Sequence, residues 1–514
     1  MSAVLFETPL TVAALCFGLV FVVFSLRRKT GNLPPGPPRG WFGDNRTDVP
    51  AEPWVKFTEW QKQYGNVISF RLGRTPVIVL GTLKASLDLL EKRGGIYSDR
   101  PRNIVGGEIL SGGMRGSVMP YGQRWRNWRA LMHAGLGVQA AQQYKVLQNL
   151  DSQILLRDLI TETDPTKHGD HIRRFISSIS FYVGYGRRVK SLDEDAVVAN
   201  QKIDNYFNSV LTPGRFIVDS FPILMWLPRP LQWFRREPER HRAHDTKTYM
   251  SLMNDVKRQM EQGTAQPSTA TRALEKQANF GLNDVETAYA LSSPWSAGVG
   301  TTSASFSVFL MAMLLFPAAQ KAAQAELDEV VGHDRLPEFT DADNLPYIMA
   351  ALKESLRWRP IAPTGVPHAV IEDDVYEGMF IPKGSIVFSN TYAICRDTSL
   401  FPDPDEFRPE RFLENPKLMS FMAPFGFGRR ICPGLHIAQQ SIFILMARML
   451  WTFDIVPLKD SEGRDILPDP NAFLRGLIRA PKPFGYQLVP RRESVSEIIN
   501  TEAERADAEL AAWK

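Results

Sequence analysis

The stretch Phe425 to Ala438, FGFGRRICPGLHIA, sets one of the chain's three cysteines among glycines, two arginines and a proline. Cys432 in such surroundings has three physical readings. A free cysteine is commonly a small buried hydrophobe. It could instead be a nucleophile, since His436 follows four residues on at a helix start, where the dipole and an imidazole lower a thiol pKa. Or it is a metal ligand, with Gly426, Gly428 and Gly434 letting backbone N–H groups close on the sulfur and tune it. The intrahelical Cys432–His436 dyad would be crowded, and the residues alone leave the three readings open.

The other two cysteines, Cys16 and Cys395, lie too far away for a disulfide framework or a two-residue-spaced zinc site. A body with 44% hydrophobic residues, 30 Phe and 11 Trp has the composition of a packed globular protein. A net charge of +4 on 514 residues gives no nucleic-acid footprint. From Leu10 to Leu26 the chain reads LTVAALCFGLVFVVFSL, which with Val4 to Phe6 approaches the length of a bilayer-spanning helix, and Arg27, Arg28 and Lys29 follow at once. A cleavable signal has its charge on the other side. The segment therefore reads as a retained single-pass anchor rather than a core helix, with the chain after Lys29 in the cytosol. The sequon at Asn45 then never meets the lumen. LPPGPPRG, Leu33 to Gly40, reads as a stiff spacer holding the body off the membrane.

Length alone suggests about three domains, but no linker or repeat interrupts the chain. The expected division is residues 1–29 as anchor and basic stop, 30–40 as spacer, 41–493 as one catalytic domain, and 494–514 as a frayed, charged tail. Val67 to Gly81 and Asp374 to Asn390 each look like two strands around a turn. Pro317–Val331 and Leu345–Trp358 look helical. The fold class is mainly α with small β-sheets.

In order and spacing, Phe425, Gly428, Arg430, Cys432 and Gly434 resemble the haem-binding loop of the cytochrome P450 family. The resemblance implies that Cys432 is the axial thiolate of haem b iron, pushing electron density that favours O–O cleavage, and that Arg430 pairs with a haem propionate. It extends over the chain after the spacer. ESLR, Glu354 to Arg357, resembles the family's buried Glu-x-x-Arg pair, and Arg411 in FRPERF the arginine that completes this structural ionic network. GQRWRNWR resembles the helix whose Trp125 and Arg129, four apart and on one face, meet a propionate, and His368 stands where the family often has a further propionate partner.

One departure stands out. The distal helix of the family carries an acid before its threonine, whereas AGVGTT, Ala297 to Thr302, has Gly300 there, followed by Thr301. Dioxygen activation needs delivered protons. Hydroxyls of Thr301, Thr302 and Ser303 with ordered water could deliver them; alternatively the chemistry is an isomerisation, dehydration or peroxide-dependent reaction. Pro294 interrupts what should be one long helix starting near Asn283, and with Gly298 and Gly300 it suggests a bulged groove.

No flavin or nicotinamide fingerprint is present, so NADPH would act through a partner, by resemblance the membrane-bound NADPH–cytochrome P450 reductase, with Arg124, Arg126 and Arg429 as a local basic patch. Ala297, Gly298, Gly300, Ile361 and Val366 are expected to line an apolar substrate pocket, beside walls from Asn103 to Val118 and Phe207 to Trp226. LEKRGGIYSDRP and VPHAVIEDDVYEGMFIPKGSIV resemble fungal members of secondary metabolism, including the O-methylsterigmatocystin oxidoreductase type. The expectation is a monomeric monooxygenase in the endoplasmic reticulum membrane, contacting lipid and no nucleic acid, that oxidises a terpenoid, polyketide or aromatic precursor. The rivals are a haem isomerase or dehydratase, a cysteine hydrolase using Cys432 and His436, and a silent haem-binding protein.

Overall fold

A computed structural model describes residues 32–40, 43–212, 214–511 and 513. The expected anchor lies outside these residues. Helices dominate, with nine short strands gathered in three sheets among the described residues. Strands β1 (Val67–Leu72) and β2 (Thr75–Leu80) form the expected antiparallel pair. The segment from Asp374 to Asn390 differs from the expected single pair. β4 (Asp374–Tyr376) and β5 (Met379–Ile381) make a hairpin, turned by Glu377 and Gly378 at φ 49° and 78°, the left-handed pair that matches strand twist. β6 (Ile386–Ser389) instead joins β2 in parallel and pairs with β3 (His368–Ala369). A third sheet holds β7 (Phe453–Lys459) between β8 (Asp465–Ile466) and β9 (Tyr486–Pro490).

The proline-rich segment is pinned to the body rather than standing free. Ser69 Oγ donates to Pro34 O at 2.5 Å, Ser69 N to Pro35 O at 2.9 Å, and Phe380 N to Asn32 O at 2.8 Å. Asn45, 1% exposed, donates to Pro38 O at 2.8 Å, so its amide is buried against the same segment.

The long distal helix is nearly continuous over Asp284–Leu315, with mean hydropathy 1.6 and 61% of its most apolar window buried. It is a core helix of the fold. Asn283 caps it, accepting from Glu286 N at 2.9 Å while Glu286 caps in return. A turn at Ser292 divides it into Asp284–Leu291 and Ser293–Leu315, and Pro294 sits in the first turn of the second part, where its missing N–H costs least. Trp295 is fully buried against Phe181, ring centroids 4.7 Å apart and edge-on, which fixes this helix on His168–Tyr185.

The tail corrects an expectation. Val495–Ala511 is a helix whose Val495, Ile499, Ala503, Ala506 and Leu510 are buried against Val138–Thr161. Arg157 pairs with Asp507 at 2.5 Å, and Trp513 stacks on Tyr182 at 5.4 Å. The charges that suggested fraying lie on the other face.

Candidate functional site

Two backbone features shape the Cys432 loop. Gly428 has φ 54°, and a Cβ there would sit 2.2 Å from Leu90 O, so only glycine lets the loop close on the chain near Leu90. Cys432 N donates back to Phe425 O at 2.9 Å. The helix Leu435–Thr452 then starts at Gly434 and packs on Ser293–Leu315. Burial pushes the Cys432 thiol up, while the Gly434 N–H and the Arg129 guanidinium pull it down. The protonated thiol is thus favoured until something replaces the proton. His436 is itself depressed by burial and by His133. Neither shift makes an activated nucleophile and base.

A cationic cradle surrounds the loop. Arg430 donates to Ser98 O, Gly116 O and Met119 O at 2.8–3.0 Å and stacks over Trp125 at 4.4 Å. Burial holds it down to about 10. Arg129 donates to Ile431 O at 2.7 Å. Arg100, which sequence reasoning missed, donates to Ser117 O, Val366 O and Pro367 O at 2.7–3.0 Å. It is held down to about 9 by burial and then by Arg430. Its only signal was an arginine before a proline in YSDRP. His368 is 6% exposed, and its Nδ1 lies 2.7 Å from Tyr97 O. A carbonyl only accepts, so Nδ1 carries the hydrogen and Nε2 the lone pair. Burial, Arg100 and Arg430 depress it to about 3, leaving it neutral.

Asp99 is the carboxylate whose charge acts on Arg100 and Arg430, so the cradle carries an excess of positive charge. Trp125 Nε1 is buried with no partner. Orphaned donors and excess charge in a buried place call for an anion. Two carboxylates of one planar group, such as the haem propionates that the sequence resemblance implies, would suit this set. Open space beside Gly426 and Gly434 suits a flat macrocycle near the sulfur.

On the distal helix Ala297, Gly300 and Thr301 share one face, and both Ala297 and Gly300 are exposed. Nothing lies within 4 Å of where a Cβ at Gly300 would stand, whereas one at Gly298 would meet Ser180 Oγ at 2.8 Å. Gly298 is there for close packing and Gly300 leaves space. Thr301 Oγ1 donates to Ala297 O at 2.7 Å, while Thr302 is buried. Ile361 O accepts from Arg479 N at 2.8 Å, and both Ile361 and Val366 are half-buried.

Behind the loop, Glu354 accepts from Arg357 Nε and Nη2, both at 2.7 Å, and from Arg411 Nε at 3.1 Å. All three side chains are at most 2% exposed.

A family model described as Cytochrome P450 matches residues 34–488. The chain belongs to the cytochrome P450 family. Cytochrome P450 monooxygenase 58 of Postia placenta is 37% identical over 501 residues, 95% of this P450 and 94% of the relative. Cytochrome P450 monooxygenase aneD of Aspergillus aculeatus is 35% identical over 512 residues, 98% and 96% of the two chains. A zebrafish cytochrome P450 solved with progesterone superposes with TM-score 0.70 at 25% identity, covering 85% of this P450 and 99% of that chain. This P450 is an enzyme of the monooxygenase class, and family membership implies a haem iron with a thiolate ligand.

Proposed function

We propose that this P450 inserts one oxygen atom into an apolar secondary metabolite of terpenoid, polyketide or aromatic origin, using electrons that reach it from NADPH through a membrane reductase. The observation that carries this reading is the pairing of a buried thiol and an anion-seeking cradle with the open space at Gly300 on the distal helix. Cys432 would ligate the iron, which takes the place of the thiol proton. Arg430, Arg129, Arg100 and Trp125 would hold the propionates, and His368 would take up a proton on meeting a carboxylate. Bound haem supplies the iron centre at which dioxygen is activated. Thr301 spends its hydrogen on Ala297 O and so presents lone pairs to water, and the space at Gly300 admits that water. Phe425, Gly428 and Gly434 shape the loop, and Thr302 sits behind Thr301.

Membrane residence is supported by the apolar segment before Arg27 and by a second feature. Ile217, Phe221, Ile223, Trp226, Leu231 and Trp233 are all more than half exposed, Trp226 at 86%, beside Arg215 and Arg229. A lipid interface accommodates such an aromatic and basic rim. We place the enzyme on the cytosolic face of the endoplasmic reticulum.

The test is turnover of pooled apolar fungal extract in microsomes with a fungal reductase and isotopically labelled dioxygen, read by mass spectrometry. A product carrying one labelled oxygen, formed only with NADPH, is expected. NADPH-independent rearrangement without label would overturn it in favour of an isomerase or dehydratase, the rival that the missing acid at Gly300 motivates.

A further inference from the structure

A second buried polar cluster lies away from the cradle. Arg115, on the loop that follows Ile104–Leu110, is 7% exposed. Its Nη2 donates to Asp245 Oδ2 and to Tyr249 Oη, each at 3.0 Å. The Phe207 ring covers the guanidinium at 4.4 Å. Arg115 Nε, Asp245 Oδ1 and Asn200 Oδ1 are buried without hydrogen-bond partners. Asp204, one turn before Phe207 on the helix Asp195–Val210, accepts from Asn200 Nδ2 at 3.1 Å. It feels the charge of Arg115, yet the ion pair of Arg115 is with Asp245. Two carboxylates therefore share one guanidinium, with one of the two not in contact with it. Burial accordingly raises Asp204 to about 7.

The cluster stands where three segments meet. The loop 103–118 carries Arg115, Asp195–Val210 packs on the distal helix, and Tyr249 on Arg236–Glu261 meets Tyr289 edge-on at 5.1 Å. Tyr289 belongs to the part of the distal helix that leads into Gly300. Phe207 and the loop 103–118 are also the walls expected of the substrate pocket.

Arg115 Nε has a hydrogen left to give and Asp204, whose Oδ2 takes one bond from Asn200, has further acceptor capacity, so a group that donates to a carboxylate and accepts from a guanidinium would fit them both. An ammonium cannot accept and a carboxylate cannot donate, whereas a hydroxyl does both. We propose that Asp204 and Arg115 form the polar end of the substrate pocket and receive a hydroxyl group of the substrate, its O–H donating to Asp204 and its oxygen accepting from Arg115. The preferred substrate is then an apolar alcohol rather than the parent hydrocarbon. The proposal rests on the reading of the groove over Gly300 as the place of an apolar substrate.

The test compares farnesol with farnesene, matched apolar probes with and without the hydroxyl, by equilibrium dialysis against the full-length protein in lipid nanodiscs. Binding is read without turnover, so it does not depend on reductase or on oxygen chemistry. The wild type should hold farnesol about tenfold more tightly than farnesene, the ratio that about 1.4 kcal/mol supplies. Asp204→Leu should bring the two within about twofold of each other. Asp204→Asn, which keeps the volume and should fold like the wild type, should reduce the preference to about threefold. Equal binding of the probes by the wild type, or a preference that survives Asp204→Leu, would overturn the subsite while leaving an apolar pocket intact. Failure of both probes to bind would overturn the pocket reading and the subsite with it.

Discussion

Replacing Glu354 by Gln keeps the shape of the side chain and removes its charge, and the surroundings make that change severe. Glu354 receives two hydrogen bonds from Arg357, one from Arg411 and one from Arg408 N at 2.9 Å, with no exposure at all. The two guanidinia have further acceptors. Arg357 reaches Cys395 O, Pro404 O and Glu406 O, and Arg411 reaches Pro402 O. Those carbonyls satisfy donors but neutralise nothing, so Glu354→Gln buries two positive charges side by side and turns an amide N–H toward a donor. Stranding a buried charge costs about 3–5 kcal/mol, against a total stability of about 5–15 kcal/mol for a folded protein. Arg411→Met should be milder, about 1–3 kcal/mol, because the Glu354–Arg357 pair stays neutral, and what is lost is one hydrogen bond to Glu354 and those to backbone carbonyls. Urea unfolding of the full-length protein in micelles, followed by circular dichroism, measures both. A loss under about 1 kcal/mol for Glu354→Gln, or a larger loss for Arg411→Met, would refute the charge reasoning.

Other outcomes follow from the same geometry. Cys432→Ala should abolish the thiolate signature of the reduced carbon monoxide spectrum while the far-ultraviolet circular dichroism stays unchanged. Gly428→Ala forces a Cβ to within 2.2 Å of Leu90 O at φ 54°, so purified protein should retain little haem, read as the ratio of haem to protein absorbance. Lys353 is 6% exposed and burial lowers it from 10.5 to about 8. Its folded pKa lies below its unfolded one, so it penalises folding fully below pH 8, and the penalty fades as pH rises toward 10.5. Lys353→Met should therefore add about 3 kcal/mol at pH 7, with the gain disappearing above pH 10.5 in thermal melts across pH. Gly300→Asp should leave the melting temperature within about 2 °C, since the site is open.

Much of this arrangement could be read from local pattern. The β-branched residues from Val67 to Gly81, the cap at Asn283 and the spacing in the Cys432 loop are short-range signals, and short-range forces act on them. The tail could have been read as well. Val495, Ile499, Ala503, Ala506 and Leu510 recur at steps of four and three, an apolar stripe hidden by the charges around it. Arg100 and Arg115 could not, because an arginine in a loop looks alike whether it meets solvent or a buried carbonyl. Their roles come from partners far away in sequence, such as Val366 O and Asp245. The third strand of Asp374 to Asn390 was hidden for the same reason, as its partner is β2, some three hundred residues earlier.

The contact of Gly428 with Leu90 also bears on the order of folding. The two residues are 338 positions apart (428 − 90), and the loop cannot take its shape until they meet. Closing so long a stretch pays its entropy before any local gain returns it. The Cys432 loop should thus be among the last parts to form during refolding, with the helices His168–Tyr185 and Ser293–Leu315 already docked. Haem would be captured by a nearly finished protein, and stopped-flow refolding should show haem absorbance lagging behind helix formation at every haem concentration.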